Sequence, residues 1–150
     1  MANTYANILI HVVFSTKDRQ SLISSSLRER FYPYMGGITK KNEFKILCVG
    51  GTEDHVHIFF SLNTSISIAK AGQLIKGGTS KWIHDIFPTH KLFSWQEGYG
   101  AFSVSISNVE EIRTYIEHQE YHHKKISFRQ KYLEFLKRNN IDFDEKYVFG

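Results

Sequence analysis

The chain has 150 residues, 41% of them apolar, which is enough for a buried core and excludes a disordered tail. Nineteen Lys and Arg against 15 Asp and Glu give a formal charge of +4. That excess suits an anionic partner such as nucleic acid better than it suits a surface that repels acidic substrates. Eight histidines and 15% aromatics suit metal binding and base stacking as well as core building.

Residues 5–15 (YANILIHVVFS) read as a strand, β-branched and nearly all apolar, and so central in a sheet. His11 within it reads as a satisfied core histidine, with a place beside a metal-binding face as the alternative. No basic region precedes an apolar segment here, so no signal peptide is expected. The apolar run is also far too short to span a bilayer. Lys17, Asp18, Arg19 and Gln20 form a polar turn. Helical spacing of Leu27, Phe31, Met35 and Ile38 predicts a helix over 25–41, kinked by Pro33 and weakened or tightly packed at Gly36 and Gly37. Residues 44–50 (FKILCVG) predict a second strand. Cys48, the single cysteine, lies in its apolar run as a buried inert thiol, and a reducing cytoplasm fits. Residues 50–53 turn the chain into a third strand as a hairpin.

That third strand, residues 54–60 (DHVHIFF), organises the rest. Strand side chains alternate between faces. Val56, Ile58, Phe60 and Leu62 therefore point one way and His55 and His57 the other. Two neutral imidazoles that close can share a divalent ion, or can merely line a polar sheet face. A third ligand and a chemical partner decide between these.

Residues 65–87 predict a second helix, with Ile68, Ala71, Ile75, Trp82 and Ile86 near one face and Gly77 and Gly78 inside it. The run from Lys76 to Lys81 lacks the spacing and preceding strand of a Walker motif, so the glycines read as packing positions. Lys70, Lys76 and Lys81 remain candidates for backbone phosphate contacts. Residues 101–106 alternate as a half-buried strand with Phe102, Val104 and Ile106 on one face. The order strand, helix, strand, strand, helix, strand is ferredoxin-like, an α+β fold with both helices on one sheet face. The histidines then sit on the other face.

Ser107 followed by Glu110 is a capping-box pattern that starts a third helix. Ile112, Tyr115, Ile116, Gln119, His122 and His123 share its inward stripe, with Val109 at the edge. Glu110, Thr114, Glu117, His118 and Tyr121 face away. Tyr115 and Gln119 are neighbours one turn apart. Read alone, Tyr115 is a packing aromatic and Gln119 a partner for backbone. His122 is a rival third ligand. His122, His123, Lys124 and Lys125 could form a phosphate-contacting patch or a solvated helix end. Ser127 and Gln130 cap a last helix over 127–138, and the tail from 141 to 149 is apolar enough to pack down. No repeat, linker or low-complexity segment interrupts the chain, so one domain over 1–150 is expected.

A His-hydrophobic-His strand followed by a helix carrying Tyr-x-x-x-Gln resembles the HUH single-tyrosine transposases. These are the TnpA-like enzymes of small bacterial insertion sequences and their REP-associated relatives. HVVFSTK, DHVHIFF, IKGGTSKW, WQEGYGAFSVSIS and YIEHQEYHHKKISF carry the resemblance, in that order, over nearly the whole chain. The resemblance implies a ferredoxin-like fold that binds a DNA hairpin and cuts one strand of single-stranded DNA. It implies His55, His57 and Gln119 as metal ligands and Tyr115 as the nucleophile. It also implies a homodimer in which the tyrosine helix can serve the partner's histidines, acting on bacterial DNA in the cytoplasm and nucleoid. Glu53 and Asp54, which add negative charge near the site, and Pro33 depart from the usual pattern. Two imidazoles and an amide oxygen accept Mg²⁺ or Mn²⁺, with Zn²⁺ also compatible by ligand softness. A phenol with a pKa of roughly 10 would attack phosphorus to give a 5′-phosphotyrosine and a 3′-hydroxyl. Two other classes fit the same residues: a hairpin-binding relative that has lost cutting, and a metal-dependent phosphodiesterase that uses water.

Overall fold

The structure, a computed structural model, describes residues 4–119 and 127–149. Strand β1 spans Ile8–Ser15, helix α1 Ser25–Lys41, β2 Lys45–Gly51, β3 His55–Leu62, α2 Ile68–Ile86 and β4 Gly100–Ser103. Helix α3 spans Val109–Glu117 and α4 Phe128–Arg138. The sheet order is β2-β3-β1-β4 with all neighbours antiparallel. This is the expected ferredoxin-like arrangement.

The two faces of the sheet separate as the alternation requires. Ile10, Val12 and Phe14 of β1 and Val56, Ile58, Phe60 and Leu62 of β3 bury against Leu27, Phe31 and Met35 of α1 and Ala71, Ile75 and Ile83 of α2. Side chains of this kind contribute about 1.5–3 kcal/mol each when fully buried, so this layer is the main source of stability. On the opposite face Leu9, Cys48 and Phe59 meet Ile116 of α3, while Val13 and Phe102 meet Phe128, Tyr132 and Leu136 of α4. Cys48 is buried, and burial raises its pKa to about 11, in keeping with an inert thiol.

Helix α1 runs continuously through Pro33. Pro33 and Glu29, whose carbonyl loses its usual donor, both lie on the exposed side, so water can take that carbonyl. Of the helix glycines only Gly78 packs closely: a Cβ there would press on Ile38 Cδ1 at 2.7 Å, whereas Gly36, Gly37 and Gly77 face open space. Strand β4 is shorter than the alternation suggests. Val104 donates one more backbone hydrogen bond to Leu9, and the chain then turns into a 3₁₀ segment, Ile106–Asn108. Ile106 is therefore 72% exposed rather than half-buried. Ser107 falls inside that turn, its hydroxyl paired with Ser105 Oγ at 3.0 Å, so Asn108 takes the cap position and no capping box forms. Ser127 does cap α4, accepting from the Gln130 N–H. In the tail Phe143, Val148 and Phe149 pack against the α4 cluster, while Tyr147 stays exposed. Among the described residues no helix is long and apolar enough to cross a membrane.

Helix α3 is seated by two features of β2. An irregularity between Ile46 and Cys48 leaves Leu47 without a partner on β3, and Arg113 of α3 donates to the Leu47 carbonyl at 3.0 Å. Three residues on, Gly50 pairs with His57 and lies directly beneath Ile116. A Cβ at Gly50 would run into the Ile116 carbonyl oxygen. Gly50→Ala is therefore expected to cost about 1–3 kcal/mol by overpacking and to lift α3. Gly77→Ala, in a helix interior with open space, should instead stabilise by roughly 0.5–1 kcal/mol. Urea unfolding of the two variants checks both signs.

Candidate functional site

The histidine face is built from β3 outward. His55 and His57 are each 1% exposed, with ring centroids 5.1 Å apart. Pairing of β1 with β3 sets Val13 opposite His57 and His11 opposite Phe59, which puts His11 on the same face. Both readings of His11 therefore hold together: it is a buried, hydrogen-bonded histidine and it touches the candidate site. Its Nε2 lies 2.8 Å from His57 Nδ1.

Each histidine of the pair is held at Nδ1. His55 Nδ1 lies 2.8 Å from Asp54 Oδ1 and 3.0 Å from Thr52 Oγ1. Asp54 is buried and reaches Arg19 Nη2 at 3.4 Å. The negative charge beside the first histidine is thus a hydrogen-bond acceptor that orients it. Arg19 sits in the turn Lys17–Arg19, where Asp18 and Arg19 take positive φ of 55° and 56°. That strained turn aims the guanidinium at Asp54 and over the Phe128 and Phe149 rings.

Helix α3 supplies the other two groups. Gln119, just past its end, donates from Nε2 to the Tyr115 carbonyl at 2.9 Å. Because that partner can only accept, the amide orientation is set, and Oε1 points to His55 Nε2 at 3.1 Å. Both His55 nitrogens face oxygens, Asp54 Oδ1 and Thr52 Oγ1 at Nδ1 and Gln119 Oε1 at Nε2, so either a proton or a cation at Nε2 would meet the Gln119 oxygen. His57 Nε2 is buried with no partner within hydrogen-bond distance, although the Gln119 amide lies near enough to act on its pKa. Among the described residues no three His, Cys, Asp or Glu side chains are grouped to hold a metal. Among the described residues, Gln119 is the polar side chain that helix α3 brings to His55.

Burial keeps His11 and His57 neutral. Burial, then the neighbouring His11 and His55, hold the His57 pKa well below its ordinary value, with the Gln119 amide acting weakly the other way. Burial lowers His11 from 6.5 to about 4. The Tyr115 ring packs edge-on against His57 at 5.5 Å and against His11 at 6.5 Å. Burial pushes its phenol up to about 12, partly offset by a hydrogen bond with Gln119 and reinforced by Glu134. Lys131 Nζ lies 5.5 Å from the ring centroid. Next to Tyr115, a shallow surface cavity of about 460 Å³ is lined by Glu110, Glu111, Thr114 and Tyr115.

The inward stripe of α3 is as the spacing predicts: Ile116 and Gln119 are buried, Ile112 and Tyr115 half-buried, and Glu110, Thr114, Glu117 and His118 exposed. His122, His123, Lys124, Lys125 and Tyr121 lie outside the described residues. Lys76, a candidate phosphate contact, donates its ammonium to the carbonyls of Gln96, Glu97 and Gly98 at 2.6–3.0 Å. Lys81 pairs with Asp85 on the surface. Sequence reasoning did not foresee Phe128, whose ring stacks flat on His55 with centroids 3.7 Å apart. Its only signal was an aromatic residue directly after the Ser127 cap.

A family model described as "Transposase IS200 like" matches residues 4–119. Among solved structures the fold is similar to that of a protein from Deinococcus radiodurans R1, provisionally assigned as a transposase. The TM-score is 0.64 at 18% identity, over 79% of this chain and 95% of that one. It is also similar to a REP-associated tyrosine transposase bound to a REP hairpin, with TM-score 0.62 and 12% identity over 84% of this chain and 74% of that one. No curated protein matches the chain significantly.

The buried neutral histidines have a consequence for acid stability. His11 titrates near 6.5 when unfolded and near 4 when folded, so its contribution is complete above 6.5 and is lost as pH falls toward 4. From His11 alone, the unfolding free energy should drop by about 2 kcal/mol between pH 7 and pH 5. Urea titrations with chelator present at the two pH values measure it.

Proposed function

The chain belongs to the family of IS200-like transposases, and on that premise we propose that it cleaves and rejoins single-stranded DNA through a 5′-phosphotyrosine on Tyr115. The strongest support is the Gln119 amide, which reaches His55 Nε2 at 3.1 Å while its Nε2 is anchored on the Tyr115 carbonyl. One side chain therefore couples the candidate nucleophile to the candidate metal ligands. His55, His57 and Gln119 would hold Mg²⁺ or Mn²⁺. When bound, the ion would neutralise charge on the phosphoryl oxygens and orient the phosphate for in-line displacement.

The chain's own residues supply the rest. Tyr115 carries its proton at neutral pH, so the phenol must lose it as its oxygen attacks phosphorus. A Tyr Oη–P bond forms, the bond from phosphorus to the 3′ oxygen breaks, and that oxygen leaves as a hydroxyl. The phosphodiester energy is kept in the phosphotyrosine, so a second 3′-hydroxyl can reverse the step without a nucleotide cofactor. Tyr115 packs on the His57 of its own chain, which supports chemistry within one subunit. Exchange of the tyrosine helix within a homodimer is the alternative, and light scattering together with mixed-subunit complementation separates the two. We take the substrate to be single-stranded DNA with a hairpin, the ligand class bound by the REP-associated structural neighbour. We take residues 1–150 to act as one domain in the bacterial cytoplasm, on nucleoid DNA.

A second reading, hairpin binding without cleavage, is favoured by the burial of both histidines beneath Phe128. Incubation with hairpin-bearing single-stranded DNA and Mg²⁺ or Mn²⁺ decides between them. A covalent protein–DNA adduct is expected, lost on chelation and reduced roughly 10⁴-fold or more in Tyr115→Phe. An adduct that persists in Tyr115→Phe would reassign the nucleophile. Product without an adduct would make water the nucleophile. Binding with no product on any matched hairpin would favour the second reading.

A further inference from the structure

We propose that His11 is the positioning residue for His57. It accepts the His57 Nδ1–H and so aims the His57 Nε2 lone pair into the space shared with His55 and Gln119. The proposal rests on the reading that those three side chains hold a divalent ion. The two imidazoles are 2.8 Å apart across Nε2 and Nδ1, stacked with centroids at 5.1 Å, and both are 1% exposed. Only one proton can lie between those nitrogens. If His11 gave it, His57 would present a buried Nε2–H that meets no acceptor within hydrogen-bond distance, the Gln119 amide lying just beyond. If His57 gives it, Nε2 carries a lone pair that an ion can take.

The position of His11 is itself constrained. It stands on β1 beside the paired Val13 and His57. Rings close it in, with Phe102 at 6.0 Å, Phe135 at 5.5 Å and Tyr115 at 6.5 Å. It has little room to release His57. The two ligand histidines are thus held by unlike partners, His55 by the Asp54 carboxylate and His57 by an imidazole. An imidazole orients its neighbour without adding a second negative charge beside the place a phosphate would occupy. Outer partners of this kind are worth about 10- to 100-fold in metal affinity.

The experiment uses the full chain labelled with ¹⁵N-histidine. Long-range ¹H–¹⁵N spectra of the metal-free protein read the His57 tautomer, and calorimetry reads Mn²⁺ affinity. Wild type should show the Nδ1–H form of His57. His11→Phe, which fills the space but cannot accept, should lose that form and bind Mn²⁺ about 10- to 100-fold more weakly. His11→Gln, whose carbonyl can accept, should recover much of the loss, and it carries the test if His11→Phe does not fold. An Nε2–H tautomer in wild type, wild-type affinity in His11→Phe, or a folded His11→Gln that binds no better than His11→Phe would each overturn the role. A wild type that binds no Mn²⁺ would instead sink the metal reading of His55, His57 and Gln119.

Discussion

Strand β3 is covered on both faces, and from that one constraint the site follows. A strand with one wet face could leave its histidines to water. Here α3 and α4 close that face, so every imidazole nitrogen must find a partner inside the protein or carry the cost of lacking one. Asp54 and Thr52 meet His55 Nδ1, and His11 meets His57 Nδ1. The Nε2 atoms are left to the space beside Gln119, where one faces an amide oxygen and the other has no partner. A cation could satisfy the unpartnered His57 nitrogen there.

The position of α3 turns on its contact with β2 rather than on its own propensity. The helix is nine residues long and would be marginal alone. Glu110 and Glu111 in its first turn suit the helix dipole, but they do not say where the helix lies. The irregular carbonyl of Leu47 and the bare backbone of Gly50 do. They let the helix come down until Ile116 touches the strand, which brings Tyr115 to His57 and Gln119 to His55.

Burial holds His11 and His57 neutral beside the Asp54 carboxyl, in a chain whose formal charge is +4. A positive net charge of that kind would draw a polyanion from a distance. Phe128 and the tail around Phe149 complete the cover, tied down by Arg19, which also grips Asp54. The turn that orients His55 and the helix that covers it are therefore mechanically connected.

Alternation along residues 54–60 determined the division of β3 into an apolar face and a histidine face, because side-chain direction on a strand is a local property. The order of elements determined the ferredoxin-like sheet, and helical spacing determined that Tyr115 and Gln119 share a stripe. The early end of β4, the displaced start of α3 and the engagement of Lys76 were not legible there. Each depends on which backbone groups find partners across the sheet or in a distant loop. Nor could the chain say that His11, 46 positions away, would hold His57, or that Phe128 would lie on His55. Those contacts exist only once pairing register and helix docking bring remote segments within hydrogen-bond and van der Waals range. Periodicity carries no information about such distances.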